Sequence, residues 1–168
     1  YNKGIVYDDL KRYRDAVDCY ARVVEINPEN EKAWYNMGVA YMTMELYDSA
    51  IESFEKATAL NPKNFKAWSN MGLSHYFLEE YEDAVKCYDR ALSIKESDKV
   101  YLNKGVSLKN LGKLREAVKC YDRAIALNPG MVEAWYNKAM AHFELKEYRD
   151  AVSAFEQYLD KHPEDWDA

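Results

Sequence analysis

Trp34-Tyr35-Asn36-Met37-Gly38 decides the fold, because it returns as Trp68-Ser69-Asn70-Met71-Gly72, as Tyr101-Leu102-Asn103-Lys104-Gly105 and as Trp135-Tyr136-Asn137-Lys138-Ala139. The opening Tyr1-Asn2-Lys3-Gly4 is the same motif without its first aromatic. From Gly4 through Gly38, Gly72 and Gly105 to Ala139 the steps are 34, 34, 33 and 34 residues. A fixed period of that length marks one supersecondary unit repeated in tandem. Recurrence also explains why 168 residues hold 15 Tyr and 4 Trp.

Twelve residues after each of these Gly or Ala positions stands an Ala (Ala16, Ala50, Ala84, Ala117, Ala151), and four further on an aromatic (Tyr20, Phe54, Tyr88, Tyr121, Phe155). Most copies close at Pro28, Pro62, Pro129 or Pro163. Positions are numbered from Glu31, so that Trp34 is position 4, Gly38 is 8, Ala50 is 20 and Pro62 is 32. Apolar residues fall at helical spacing in two segments of about 14 residues, joined by a polar stretch such as Glu45-Leu46-Tyr47-Asp48. Each copy is therefore expected to be a helical hairpin. Small residues at 8 and 20 let its two helices approach closely, and large ones at 4, 11 and 24 fill the space around that contact. Proline at 32 stops the second helix, and Asn30 or Asn64 is placed to cap the next first helix.

This pattern resembles the tetratricopeptide repeat, with its signature Trp-x2-Leu-Gly-x2-Tyr followed by Ala, Phe, Ala and Pro, over the whole chain. The resemblance implies an all-α fold, an α-α superhelix built as a right-handed solenoid of tandem helix-turn-helix hairpins. The expected units are residues 1–30, truncated at the N-terminus, then 31–64, 65–97, 98–131 and 132–165. Residues 166–168 read either as the start of a further repeat or as a cap in which Trp166 packs over the last hairpin, and the chain looks cut from a longer array. Two irregularities stand out. The third linker has Lys95-Glu96 in place of Asn-Pro and is one residue short, so a local change of packing angle is expected there. The last copy has Tyr158 where Val23, Ala57, Ala91 and Ala124 stand in the others, a bulk that should disturb docking of a following hairpin.

At about 100° per residue, positions 4, 7, 8 and 11 of a first helix form one stripe, assigned to the core, and 2, 6, 9 and 13 the opposite one. In the family the second stripe lines a concave groove for extended peptides or partner helices. Position 6 is Asn in all five copies: Asn2, Asn36, Asn70, Asn103 and Asn137. An amide both donates and accepts, so a row of them can pair with the backbone of an extended segment. The same residues could instead bond to neighbouring helices and keep the stack in register. A similar asparagine ladder lines the groove of O-linked N-acetylglucosamine transferases, which implies a substrate-recruiting arm of a larger enzyme as an alternative. Position 9 is aliphatic (Ile5, Val39, Leu73, Val106) or Met140, a candidate groove floor, and Lys32, Lys66 and Lys99 at position 2 could attract acidic partner segments. Tyr35 at position 5 flanks the row. The family's clamp for acidic chaperone tails wants Lys at 5 and Asn at 9, and this chain has neither.

A net charge of -6 argues against nucleic acid, whose binding leans on a basic surface. No apolar run is long enough to span a membrane, and the first residues lack the layout of a signal peptide, so the chain reads as cytoplasmic. Cys19, Cys87 and Cys120 share position 23, which separates them by a helix-packing distance and argues against a disulfide or a shared metal. His75 and His142 share position 11 with Tyr7 and Tyr41 and read as core residues, with no carboxylate assigned to them. The expectation is thus a non-enzymatic scaffold without cofactor or metal, binding a protein or peptide, with self-association through repeat ends possible.

Overall fold

The computed structural model describes residues 1–161, and Trp166 with its two readings lies outside them. Among the described residues every regular element is an α-helix. They are α1 (Asn2–Asp9), α2 (Tyr13–Ile26), α3 (Glu31–Thr43), α4 (Tyr47–Leu60), α5 (Phe65–Phe77), α6 (Tyr81–Ile94), α7 (Asp98–Asn110), α8 (Leu114–Leu127), α9 (Val132–Glu144) and α10 (Tyr148–Lys161). Successive helices pair as five hairpins. Contacts divide the chain into two units at the irregular third linker: Tyr1–Ile94, holding three hairpins, and Lys95 onward, holding two. Within the first unit α2 packs on α3 and α4 on α5, and within the second α8 packs on α9, so each unit is a stack of hairpins.

The turn inside each hairpin is shorter than the polar stretch suggests, because Tyr47 and Asp48 already belong to α4. One residue in left-handed conformation makes the reversal: Lys11, Glu45, Glu79, Gly112 and Lys146, all at position 15, have φ between 56° and 72°. The amide at position 16 then bonds back to the carbonyl at 11, as Leu46 N to Tyr41 O (3.0 Å) and Glu80 N to His75 O (2.9 Å), which satisfies a carbonyl that the helix end leaves over. Between hairpins, Asn27, Asn61 and Asn128 before proline are held near φ -136°, -134° and -141°, off the helix. Asn30 and Asn64 accept from Ala33 N and Ala67 N at 3.0 and 2.9 Å, the expected caps. The indoles of Trp34, Trp68 and Trp135 donate to the carbonyls of Pro28, Pro62 and Pro129 at 2.8, 3.0 and 3.1 Å, tying each linker to the helix it precedes.

The third linker replaces this arrangement with side chains. Tyr101 stands for Trp and Glu96 for Pro, the Glu96 carboxylate pairs with Arg123, and Arg123 lies over the Tyr101 ring at 5.8 Å. Tyr101 Oη is 3.4 Å from Glu96, at the long end for a hydrogen bond.

The core is centred on the aromatic at position 24. Tyr20, Phe54, Tyr88 and Tyr121 are 0 % exposed. An ideal Cβ built on Gly4, Gly38, Gly72 or Gly105 would lie 2.5–2.7 Å from the ring in its own hairpin, closer than packed atoms come. The other side of the ring meets the next hairpin: Tyr20 clusters with Ala33, Met37 and Ala40, and Phe54 with Ala67 and Met71. Within each unit, the first helices that follow another hairpin (α3, α5 and α9) therefore bury two faces, one against their own partner and one against the preceding hairpin. This corrects the single core stripe expected from the sequence. Position 3 (Ala33, Ala67, Val100, Ala134) and, after the first hairpin, position 10 (Ala40, Ser74, Ser107, Ala141) are buried, whereas Trp34, Trp68, Tyr101 and Trp135 at position 4 and most residues at 11 are half-buried.

Four substitutions test this packing and the turn beside it. Gly38→Ala gains about 1 kcal/mol of helix propensity but must displace the Phe54 ring, a strain of about 1–3 kcal/mol. A net loss is expected, read as a lower midpoint in urea, and an unchanged midpoint would show that the ring yields freely. At Gly112 a Cβ meets nothing within 4 Å while φ is 72°, so Gly112→Ala isolates the backbone term and should lower stability by about 1 kcal/mol. Tyr20 Oη donates to Asp8 Oδ2 at 2.6 Å, whereas Tyr88 Oη is buried with no hydrogen-bond partner among the described residues. Tyr88→Phe, which copies Phe54, should be neutral or stabilising and Tyr20→Phe should cost about 1 kcal/mol, an ordering checked by the same titration.

Candidate functional site

The residues at position 6 sit midway along the first helices, on the side away from the position-8 contact. Asn36, Asn70, Asn103 and Asn137 are half-buried and Asn2 is exposed. In the first unit the amides reach the residue at position 5 of the preceding hairpin. Asn36 Nδ2 donates to Tyr1 Oη at 3.1 Å, and Tyr35, its hydroxyl pushed up from the ordinary tyrosine value by burial, has the Asn70 amide as a hydrogen-bond partner that offsets part of the shift. In the second unit the residue at position 5 of the hairpin preceding Asn137 is Leu102, which offers no hydroxyl, and Asn137 Nδ2 turns back to Glu133 O at 2.8 Å. Asn103 makes no side-chain hydrogen bond to a described residue.

Around the amides the structure places the other candidates as follows. Val39, Leu73, Val106 and Met140 are half-buried beside the row, and Ile5 is exposed. Tyr35 is half-buried, its ring centroid 6.0 Å from that of Phe54, and so links the outer face to the core aromatic. Lys32, Lys66 and Lys99 are exposed on the first turns without an ion pair to a described residue. Beside Asn137 lies a hollow of about 440 Å³ lined by Val132, Glu133, Tyr136, Asn137 and Tyr158. Tyr158 packs on Tyr136 with centroids 5.4 Å apart, so the bulk peculiar to the last copy forms part of its wall.

The histidines have partners that the sequence reading missed. His75 Nδ1 lies 2.7 Å from Glu80 Oε2, and His142 Nδ1 lies 2.8 Å from Glu147 Oε2. The signal was available: position 16 is Glu only in the two copies whose position 11 is His, and the left-handed turn brings 11 and 16 together. The His142 bond and Arg115, 2.9 Å from Glu147 Oε1, hold the Glu147 carboxyl below its ordinary range. His142, Glu147 and Asp150 have ligand atoms within 4.8 Å of one another and are the grouping among the described residues with room for a metal ion, although Arg115 already balances the Glu147 charge. Cys19, Cys87 and Cys120 are free thiols. Burial, followed by the charges of Asp83 and Glu55, pushes the Cys87 thiol up to about 12, which leaves it a poor nucleophile at neutral pH.

No helix among the described residues is long and apolar enough to cross a membrane. No curated protein matches the chain in sequence. Among solved structures the chain is similar to MamA, at 22% identity over 98% of this chain and 97% of that one, with a TM-score of 0.93. It is similar to MamA from Desulfovibrio magneticus RS-1, at 15% identity over 99% and 98% of the two chains and a TM-score of 0.86. It is also similar to YrrB, described as a TPR protein with an unusual peptide-binding site, at 25% identity over 98% of this chain and 85% of that one, with a TM-score of 0.87. Tetratricopeptide repeat models match residues 1–30, 31–64 and 65–98, and a further one matches 102–168. With its glycine and aromatic pairs, its proline-stopped hairpins and these matches along its length, the chain belongs to the tetratricopeptide repeat family.

Proposed function

We propose that the chain is a protein-interaction scaffold without catalytic activity, and that extended partner segments are held against the amides of each unit, Asn2, Asn36 and Asn70 in the first and Asn103 and Asn137 in the second. The observation that carries this reading is one amide at the same place in all five first helices, on a face left at least partly open and bordered by aliphatic side chains. Amides pair with peptide groups without demanding particular side chains, and Val39, Leu73 and Val106 offer apolar contact between them. Exposed Lys32, Lys66 and Lys99 favour acidic residues in the bound segment. Likeness to YrrB, described as having a peptide-binding site, supports the same class of ligand. The net charge of -6 favours a protein partner over nucleic acid, and three free thiols are in keeping with a reducing compartment such as the cytoplasm.

The amide row also favours a second reading, in which the array recruits substrates for an enzyme of which it is one arm. The two readings share the binding face and differ in what flanks it in the parent chain.

Selection of binders from a random-peptide display library, followed by fluorescence anisotropy of the best peptide, tests the face itself. The triple variant Asn36→Ala, Asn70→Ala, Asn103→Ala should weaken binding about tenfold or more while keeping the wild-type circular dichroism. Undiminished affinity in the folded variant overturns the amide row as the binding element.

A further inference from the structure

Four aromatic rings gather at the turn end of the second and third hairpins. Tyr47 and Phe77 stack with centroids 4.9 Å apart and planes 16° from parallel. Tyr76 meets Phe77 edge-on at 5.7 Å and packs against Tyr81 at 5.7 Å. Positions 12 and 13 end α5 while position 17 opens α4 and α6, so the hairpin geometry puts these side chains on one edge. Phe77 remains 51% exposed, although a ring of this size dominates the burial energy wherever it is covered.

The rim of this edge is acidic. Glu45 and Asp48 flank Tyr47, and Glu79 and Glu82 flank Tyr81; all four carboxylates are exposed and none forms an ion pair with a described residue, although the Glu82 charge reaches Lys86. Glu80 and Asp83 are engaged by His75 and Lys86. No Lys or Arg occurs from Glu45 to Glu55, nor between Lys66 and Lys86. Burial, then the charge of Glu79 and the neighbouring Tyr76, raise the Tyr81 hydroxyl above its ordinary value, in keeping with a carboxylate close to that ring.

Elsewhere the chain completes such ring and carboxylate pairs with its own cations: the Lys138 ammonium joins Trp135 to Asp122, and guanidinium groups serve in two other places. Arg12 lies over Tyr7 at 4.7 Å while its Nε donates to Asp15 Oδ2 at 2.8 Å, and Arg123 joins the Tyr101 ring to Glu96 in the same way. At position 16, where the first hairpin has Arg12, the second and third have Leu46 and Glu80. Their edge thus has the rings and the carboxylates without the cation.

We propose that this edge docks an arginine-rich extended segment of a partner protein. Its guanidinium groups stack on Phe77 and Tyr81 and pair with Glu79, Glu82 and Glu45. Arginine fits better than lysine because its planar group stacks on a ring while its edge still donates to a carboxylate. The surface is separate from the amide row and does not depend on it.

Fluorescence anisotropy with labelled oligo-arginine and oligo-lysine peptides of equal length tests the proposal on the full chain. The arginine peptide should bind more tightly than the lysine peptide. Phe77→Ala and Phe77→Leu should each weaken it about fivefold, and the pair Glu79→Gln, Glu82→Gln about tenfold. The pair Glu25→Gln, Glu29→Gln, which removes the same charge around the first linker, should leave binding unchanged. The leucine variant keeps apolar bulk and separates loss of the ring from loss of packing. Absence of saturable binding to the wild type, equal loss in the two glutamine pairs, or full affinity in the folded Phe77→Leu variant would each overturn the proposal.

Discussion

A missing methyl group decides how closely the helices of each hairpin approach. At Gly4, Gly38, Gly72 and Gly105 a Cβ would fall well inside the contact distance of the opposing ring, so the absence of a side chain at position 8 lets the ring at 24 come close against the first helix. The same ring turns its other side to the next hairpin, where Ala33 and Met37, or Ala67 and Met71, close over it. One aromatic therefore serves both the fold of a hairpin and its attachment to its neighbour. The outer face cannot be buried by a hairpin alone, which is the physical reason such units occur in stacks. In the last copy position 8 is Ala139, and the ring, Phe155, is half-buried where the other four are fully enclosed, no described hairpin following to cover its outer side.

Main-chain satisfaction is handled just as locally. A left-handed residue at 15 lets the amide at 16 reach the carbonyl at 11, proline at 32 ends the second helix, and asparagine at 34 caps the next one. The tryptophan indole closes the linker by bonding the proline carbonyl. When the third linker loses its proline it loses its tryptophan as well, and the Glu96, Arg123 and Tyr101 network stands in their place. Exchange of a backbone-centred device for an ionic one coincides with the division of the chain into two units.

These features differ in how plainly the sequence displays them. Gly38 with Phe54, Ala50 and Pro62 are legible because each makes its contact within one copy and repeats at a fixed interval. Burial at positions 3 and 10 is not, because Ala33 and Ala40 carry little apolar signal and are covered by residues of the preceding hairpin. The partner of Asn36 is hidden for a related reason. It is Tyr1, from another copy at another position, and only the stacking offset joins 5 to 6. His75 and Glu80 could have been paired from sequence, had the left-handed residue between them been anticipated at Glu79, which is not a glycine.

The division between constant and variable positions bears on recognition. Positions 8, 20 and 24 barely change because a packed ring tolerates little, and position 6 does not change at all. An invariant amide presents the same donor and acceptor at every step, so on the proposed reading it supplies grip on a peptide backbone and no choice among sequences. Choice has to come from positions that vary between copies. Position 5 runs through Tyr, Ser and Leu, and position 12 through Asp, Met, Tyr, Lys and Phe. Position 13 alternates among Asp, Thr, Phe, Asn and Glu, and position 16 between basic, aliphatic and acidic residues. The last three crowd toward the turn edge of the hairpins, where backbone geometry is held by a left-handed residue and the side chains are free to differ. Specificity in this chain is therefore sought at that edge, where Tyr76 and Phe77 set the third copy apart from the others.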